Sequence, residues 1–192
     1  MRLWPVVSVP LILAALVNSS YAGRFVVFPK AGESSSPDGR YVVRNSDREG
    51  ATSDFVGVFH SLWLVELANG RSRKLCDYLG VAAVAWSDDD FLVVNEYAGK
   101  RTSRAMLFSA TDPEYAVTID KTTVARISPP ELRAALEGND HAFVEASRLT
   151  AKVLFLRVWG YGQRNPNGFR WVCEYGMEEG SVSCSEAPSR NR

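Results

Sequence analysis

One stretch of this chain returns 108 residues further on. Trp63-Leu64-Val65-Glu66-Leu67 runs on to Cys76, and Trp171-Val172-Cys173-Glu174-Tyr175 runs on to Cys184. Trp, Glu and Cys recur at the same offset with apolar residues between them. A second echo lies at an offset of 51, where Ser36-Pro37-Asp38-Gly39-Arg40-Tyr41-Val42-Val43 is matched by Ser87-Asp88-Asp89-Asp90-Phe91-Leu92-Val93-Val94. Self-similarity at fixed spacing is the mark of a repeat architecture, and these two echoes predict about three β-units of roughly 50 residues. That pattern constrains the fold far more than it constrains the chemistry.

Each predicted unit reads as short apolar strands joined by turn residues. Pro37-Asp38-Gly39 is a turn in which Pro presets φ and Gly accepts a positive φ. Arg40 to Arg44 and Val56 to Leu67 read as strands, with Asn45 to Asp54 a polar loop between them. Asn69-Gly70 is a strong hairpin signal before Ser72 to Cys76. The second unit has strands at Val81 to Trp86, Phe91 to Tyr97, Ala105 to Ser109 and Ala116 to Ile119. The third has them at Ala142 to Arg148, Lys152 to Trp159, Phe169 to Tyr175 and Ser181 to Cys184. One short helix is predicted near 129–137: Ser128 serves as N-cap, Pro129 opens the first turn, Glu131 completes a capping box, and Gly138 stops it.

The turn Ser36-Pro37-Asp38-Gly39, the strand Leu62-Trp63-Leu64-Val65-Glu66-Leu67 and the turn at Asn69-Gly70 resemble blades of TolB-like and prolyl-oligopeptidase-type β-propellers over residues 36–76. The resemblance implies a mostly β, propeller-like fold of about three four-stranded meanders, an incomplete or three-unit ring. A small β-barrel or sandwich satisfies the same strand pattern.

The first 22 residues read as a signal peptide. Arg2 precedes an apolar run from Val6 to Val17, and Ser20-Tyr21-Ala22 supplies small residues at a cleavage site. About a dozen apolar residues are too few to span a bilayer comfortably. The expectation is one domain, residues 23–192, in the periplasm or secreted, with no stable membrane insertion after cleavage. The 22 basic and 22 acidic residues balance, so no cationic excess points to nucleic acid. Cys173 and Cys184 flank Met177-Glu178-Glu179-Gly180, so a tight hairpin sets them side by side at a spacing suited to a disulfide. Such a short closed loop stabilises by about 2–3 kcal/mol in the chain-entropy model. Cys76 is left over as a small buried hydrophobe.

No motif for catalysis, metal or cofactor stands out. His60 and His141 lie outside any metal-ligand spacing, no Gly-x-Ser-x-Gly elbow exists, and Asp88-Asp89-Asp90 reads as a solvated turn. The most site-like segment is Trp159 to Phe169, where Trp159, Tyr161, Arg164 and Phe169 stand among glycines. These residue types dominate recognition surfaces, and glycines let a partner approach the backbone. The polar loop with Asp47, Arg48, Glu49 and Asp54 is a second candidate. The expected function is non-catalytic binding of a protein or envelope component through loops. Two rivals are a small secreted hydrolase or isomerase with a dispersed site, and a structural envelope protein.

Overall fold

A computed structural model describes residues 24–51 and 56–187. The leader read at residues 1–22 lies outside the described residues, as does Asp54. The described chain is mostly strand. It runs β1 (Val26–Phe28), β2 (Glu33–Ser35), β3 (Tyr41–Ala51), β4 (Val56–Glu66), β5 (Ser72–Tyr78), β6 (Val81–Trp86), β7 (Phe91–Tyr97), β8 (Thr102–Ser109) and β9 (Ala116–Ile119). Two helices follow, α1 (Lys121–Ile127) and α2 (Pro130–Glu137), then β10 (His141–Leu149), β11 (Val153–Tyr161), β12 (Phe169–Gly176) and β13 (Val182–Glu186).

Strands β2-β3-β4-β5 form one antiparallel sheet. A nine-stranded sheet has the order β1-β6-β7-β8-β10-β11-β12-β13, with β9 also paired to β8. Neither sheet closes on itself, so the barrel alternative does not describe this chain. Within the larger sheet, β6 to β9 and β10 to β13 are consecutive antiparallel meanders. They are joined by a short parallel contact, Ala142 opposite Thr102 and Phe143 opposite Ser103.

Two apolar clusters show how these layers stack. Phe28, Tyr41, Val43, Leu62, Leu64 and Tyr78 pack against Val84, Trp86, Leu92, Val94, Met106 and Phe108. Ala85, Val93, Ala105 and Leu107 pack against Val144, Leu154, Leu156, Val158, Phe169 and Cys173. Alternate residues of β7 and β8 therefore enter opposite cores, and the middle meander is buried on both faces. That explains why its strands read as nearly unbroken apolar runs. Polar side chains tie the layers together. Arg73 donates to the carbonyls of Ser109 and Pro113, and Trp86 Nε1 donates to Ser34 Oγ at 3.2 Å. The buried amide of Asn95 donates to Ala146 O at 2.9 Å and accepts from Ala146 N at 2.7 Å. It replaces a strand partner beside the bulge between Ala146 and Arg148.

The turns of the 51-residue echo have a structural counterpart. Gly39 and Asp90, related by the offset of 51, both have positive φ, 72° and 61°. Ser36 Oγ accepts from Tyr41 N and Ser87 Oγ accepts from Phe91 N, so each serine hydroxyl organises its turn. In the 108-residue echo the hairpin glycines, Gly70 and Gly180, also match in φ, at 71° and 63°. Their registers differ: Leu62 faces Cys76 and, after a one-residue bulge, Trp63 faces Lys74, whereas Cys173, the counterpart of Val65, faces Cys184 without a shift.

Three local expectations are corrected. Asn45 to Asp54 is not a loop through its described length, because β3 continues to Ala51, paired with β4 as far as Val56. Alternating polar residues there form a ribbon reaching past the edges of β2 and β5. The helical region contains two helices rather than one. Asp120 caps α1 through Thr123 N at 2.8 Å, but Thr122, Thr123, Val124 and Ile127 mask its helical character in sequence. Ser128 does not cap α2. Its hydroxyl turns back to Val124 O at 2.6 Å, and Pro129 occupies the N-cap position with no side-chain bond.

Candidate functional site

The third meander, β10 to β13, has one face in the core and one face open. Ala142, Val144 and Ala146 of β10, Leu154, Leu156 and Val158 of β11, and Phe169, Cys173 and Tyr175 of β12 point inward. Strand alternation turns His141, Phe143 and Glu145, then Phe155, Arg157, Trp159 and Tyr161, then Arg170, Val172 and Glu174 to the opposite side. Helices α1 and α2 contribute Val124, Leu132 and Leu136 to the inner core and leave this outer face free.

The open face is ordered as rungs across β10 and β11. His141 stacks on Tyr161 with centroids 4.4 Å apart and planes 10° apart. Phe143 stacks on Trp159 at 4.1 Å and 17°. Arg157 Nη2 lies 3.4 Å from Glu145 Oε2, and the Arg148 guanidinium covers Phe155 at 3.9 Å. Directly opposed residues on antiparallel strands bring such rings into contact. Glu145 is almost wholly buried, and its nearness helps raise Tyr97 above the ordinary tyrosine range, after burial as the first cause. Tyr161 and Val172 are 44% and 39% exposed.

The segment from Trp159 to Phe169 divides between two surfaces. Trp159 and Tyr161 belong to the open face. Phe169 is 9% exposed and sits in the core, on the other side of the sheet. Arg164 is exposed in the connection after β11, with its aliphatic stem against Gly138 at the end of α2. This connection is docked rather than free. Asn139 Nδ2 donates to Ala135 O and to Asn165 Oδ1, each at 2.8 Å, while Asn139 Oδ1 accepts from Asn165 N at 3.1 Å.

The glycines serve this internal packing. A Cβ at Gly160 would fall far inside contact distance of the His141 carbonyl and 2.8 Å from the Phe169 ring. One at Gly162 would meet Asn139 Oδ1 at 2.7 Å. At Gly160 and Gly162 the missing side chain permits close approach within the chain itself.

Several residues of this face carry no motif and escaped sequence reasoning: His141, Phe143, Glu145, Arg148, Arg157 and Arg170. The available signal was the polar or aromatic character of every second residue in β10 and β11, read against the apolar alternates.

A separate polar group lies at the far side of the first sheet. His60 Nδ1 is 2.7 Å from Asp47 Oδ1, and its ring stacks on Tyr78 at 4.9 Å. Tyr78 OH donates to Asn45 Oδ1 at 2.6 Å. The hydrogen bond with His60 is the leading cause that lowers Asp47 below the usual carboxylate range. Ser61, next in sequence, donates instead to Asp77 Oδ1 at 2.6 Å. Cys76 is partly buried against the core nearby, and burial pushes its thiol up to about 12, with Glu96 adding to the effect. A protonated thiol is neither a nucleophile nor a metal ligand. Among the described residues no three His, Cys, Asp or Glu side chains are grouped to hold a metal ion.

Cys173 and Cys184 face each other across β12 and β13 and are disulfide-bonded, with Cα atoms 4.1 Å apart. Among the described residues no helix is long and apolar enough to cross a membrane. No family model, no curated protein and no solved structure matches this chain.

Proposed function

We propose that this chain is an exported, non-catalytic β-repeat protein that binds a protein or envelope component. The binding surface is the open face of β10 to β13 together with the adjoining connection at Tyr161 to Gly168. The observation that carries this reading is the set of aromatic and arginine side chains on an uncovered sheet face, the residue types that dominate binding energy at interfaces. A rigid sheet beneath them lowers the entropic cost of association. The reading extends to architecture: the three meanders are successive propeller-like layers of an incomplete ring. Their face-to-face apolar cores support this.

The pair Asp47 and His60 favours a second reading, a hydrolase using histidine as a base. Among the described residues no serine or cysteine is hydrogen-bonded to His60. Ser61 is turned to Asp77, Cys76 is protonated, and His60 lies flat against Tyr78. The pair is better suited to anchoring the base of the β3-β4 ribbon.

Immobilised protein lacking residues 1–22 should capture a component from an envelope extract. The Tyr161→Ala, Arg170→Ala double variant should retain the wild-type melting temperature and lose about 2 kcal/mol or more of affinity if either side chain is a hot spot. A lowered melting temperature with unchanged capture would identify these residues as packing groups and refute the binding assignment.

A further inference from the structure

We infer that the open face of β10 to β13 recognises a carboxylate-rich polypeptide segment. This rests on the binding role proposed for that face and names the chemistry of the partner.

The first part of the argument is the posture of the rings. Phe143 and Trp159 are direct cross-strand neighbours, as are His141 and Tyr161. Antiparallel strands lie about 4.8 Å apart. Stacked centroids 4.1 and 4.4 Å apart, with nearly parallel planes, therefore place the ring normals across the strands. The rings stand upright on the sheet; Tyr161 is 44% exposed, whereas Phe143 is enclosed at 8%. One flat face of each ring is turned toward its stacking partner. Aromatic quadrupoles are negative on the face and positive at the edge. Where Tyr161 is exposed, its ring edge is thus weakly electropositive.

The second part is the charge around it. Arg148, Arg157 and Arg170 are exposed on this face, against Glu174 as the exposed carboxylate. Glu145 is occupied by Arg157 and buried. Arg170 lies directly opposite Trp159 and makes no ion pair or side-chain hydrogen bond among the described residues. Beyond it, Gly168 adds no side chain beside Tyr161. Guanidinium groups held by stacking are pre-organised for bidentate carboxylate contacts. Arg148, laid over Phe155, is such a group. The exposed edge of Tyr161 and the free guanidinium groups both select anions, while Tyr161 and Val172 add apolar contact that a side-chain-bearing polypeptide can fill.

The test uses protein lacking residues 1–22 and a fluorescent oligoglutamate as probe, read by anisotropy at low and high salt. An alginate oligomer and vesicles of anionic lipid serve as comparison ligands of other classes. Expected is saturable, salt-sensitive oligoglutamate binding that falls roughly tenfold or more in the Arg148→Gln, Arg170→Gln variant. These side chains are exposed, so the variant should melt like the wild type. Absence of saturable binding, equal binding by the variant, or stronger binding of alginate or vesicles would overturn the inference. If envelope capture still depends on Tyr161 while oligoglutamate fails, the acidic-segment inference alone falls. If both fail, the binding role of the face falls with it.

Discussion

Replacing Gly160 with alanine tests the construction of the open face at its tightest point. Gly160 lies in β11 between Trp159 and Tyr161, opposite Ala142 on one neighbour and Phe169 on the other. The added methyl would overlap the His141 backbone oxygen and approach the Phe169 ring to 2.8–2.9 Å. A ring can tilt, but a backbone carbonyl within a paired strand moves only with its strand. Overpacking of this kind costs about 1–3 kcal/mol, and a backbone obstacle belongs at the upper end, near 3. Alanine also restricts the unfolded chain, which returns about 0.4–1 kcal/mol. The net loss should be about 2 kcal/mol. With a urea dependence of about 2 kcal/mol per molar for a domain of this size, the midpoint should fall by about 1 M. Near-ultraviolet circular dichroism should change in the folded variant, because displacing His141 disturbs its stack on Tyr161. Gly70→Ala is the control: its Cβ meets nothing within 4 Å, so the positive φ of 71° alone sets the cost, about 1–2 kcal/mol. A Gly160→Ala midpoint equal to or above wild type would refute the close-packing argument.

Asn139→Ala should lower stability by about 2–3 kcal/mol, since it removes three hydrogen bonds and leaves Asn165 N without its partner. Limited proteolysis should then cut first between Gly162 and Gly168, and wild-type resistance there would show that the connection is held by other contacts. Cys76 should make stability fall at alkaline pH. Its folded thiol titrates near 12 and the unfolded thiol nearer 9, so the folded state keeps a proton that the unfolded state releases. Stability is therefore intact below about pH 9 and declines from there toward 12. Cys76→Ala should flatten that part of the denaturation profile relative to wild type, and identical profiles would contradict the burial assigned to Cys76.

Most strands and the turns between them were legible because turns and strand alternation are local. The 51-residue echo places Gly39 and Asp90 in matching left-handed positions, of which Gly39 was the one read from the chain. The disulfide was legible for the same reason, since a hairpin fixes its own register. Helix α1 was not, because Thr122, Thr123 and Val124 favour strand locally and only burial against the third meander decides otherwise. Neither was the polar end of β3, residues 45–51, whose alternation carries no apolar face to announce it. The candidate site was half legible. Trp159 and Tyr161 announced themselves by residue type. Their partners Phe143 and His141 lie 16 and 20 residues earlier and are selected by strand register. Phe169 was assigned to the surface by type alone, and alternation along β12 sends it into the core.

The middle meander, covered on both sides, also shapes how this chain can change over generations. A substitution at Val93 is felt by one core and a substitution at Val94 by the other. Adjacent positions in β7 and β8 are thus constrained by different neighbours, and few compensating changes can satisfy both. Innovation is confined to the two end layers, where half of each strand faces solvent. Divergent relatives should keep Ala82 to Trp86 and Ala105 to Phe108 nearly fixed in volume. New binding preferences should accumulate on β10 to β13 without touching the layer that holds the molecule together.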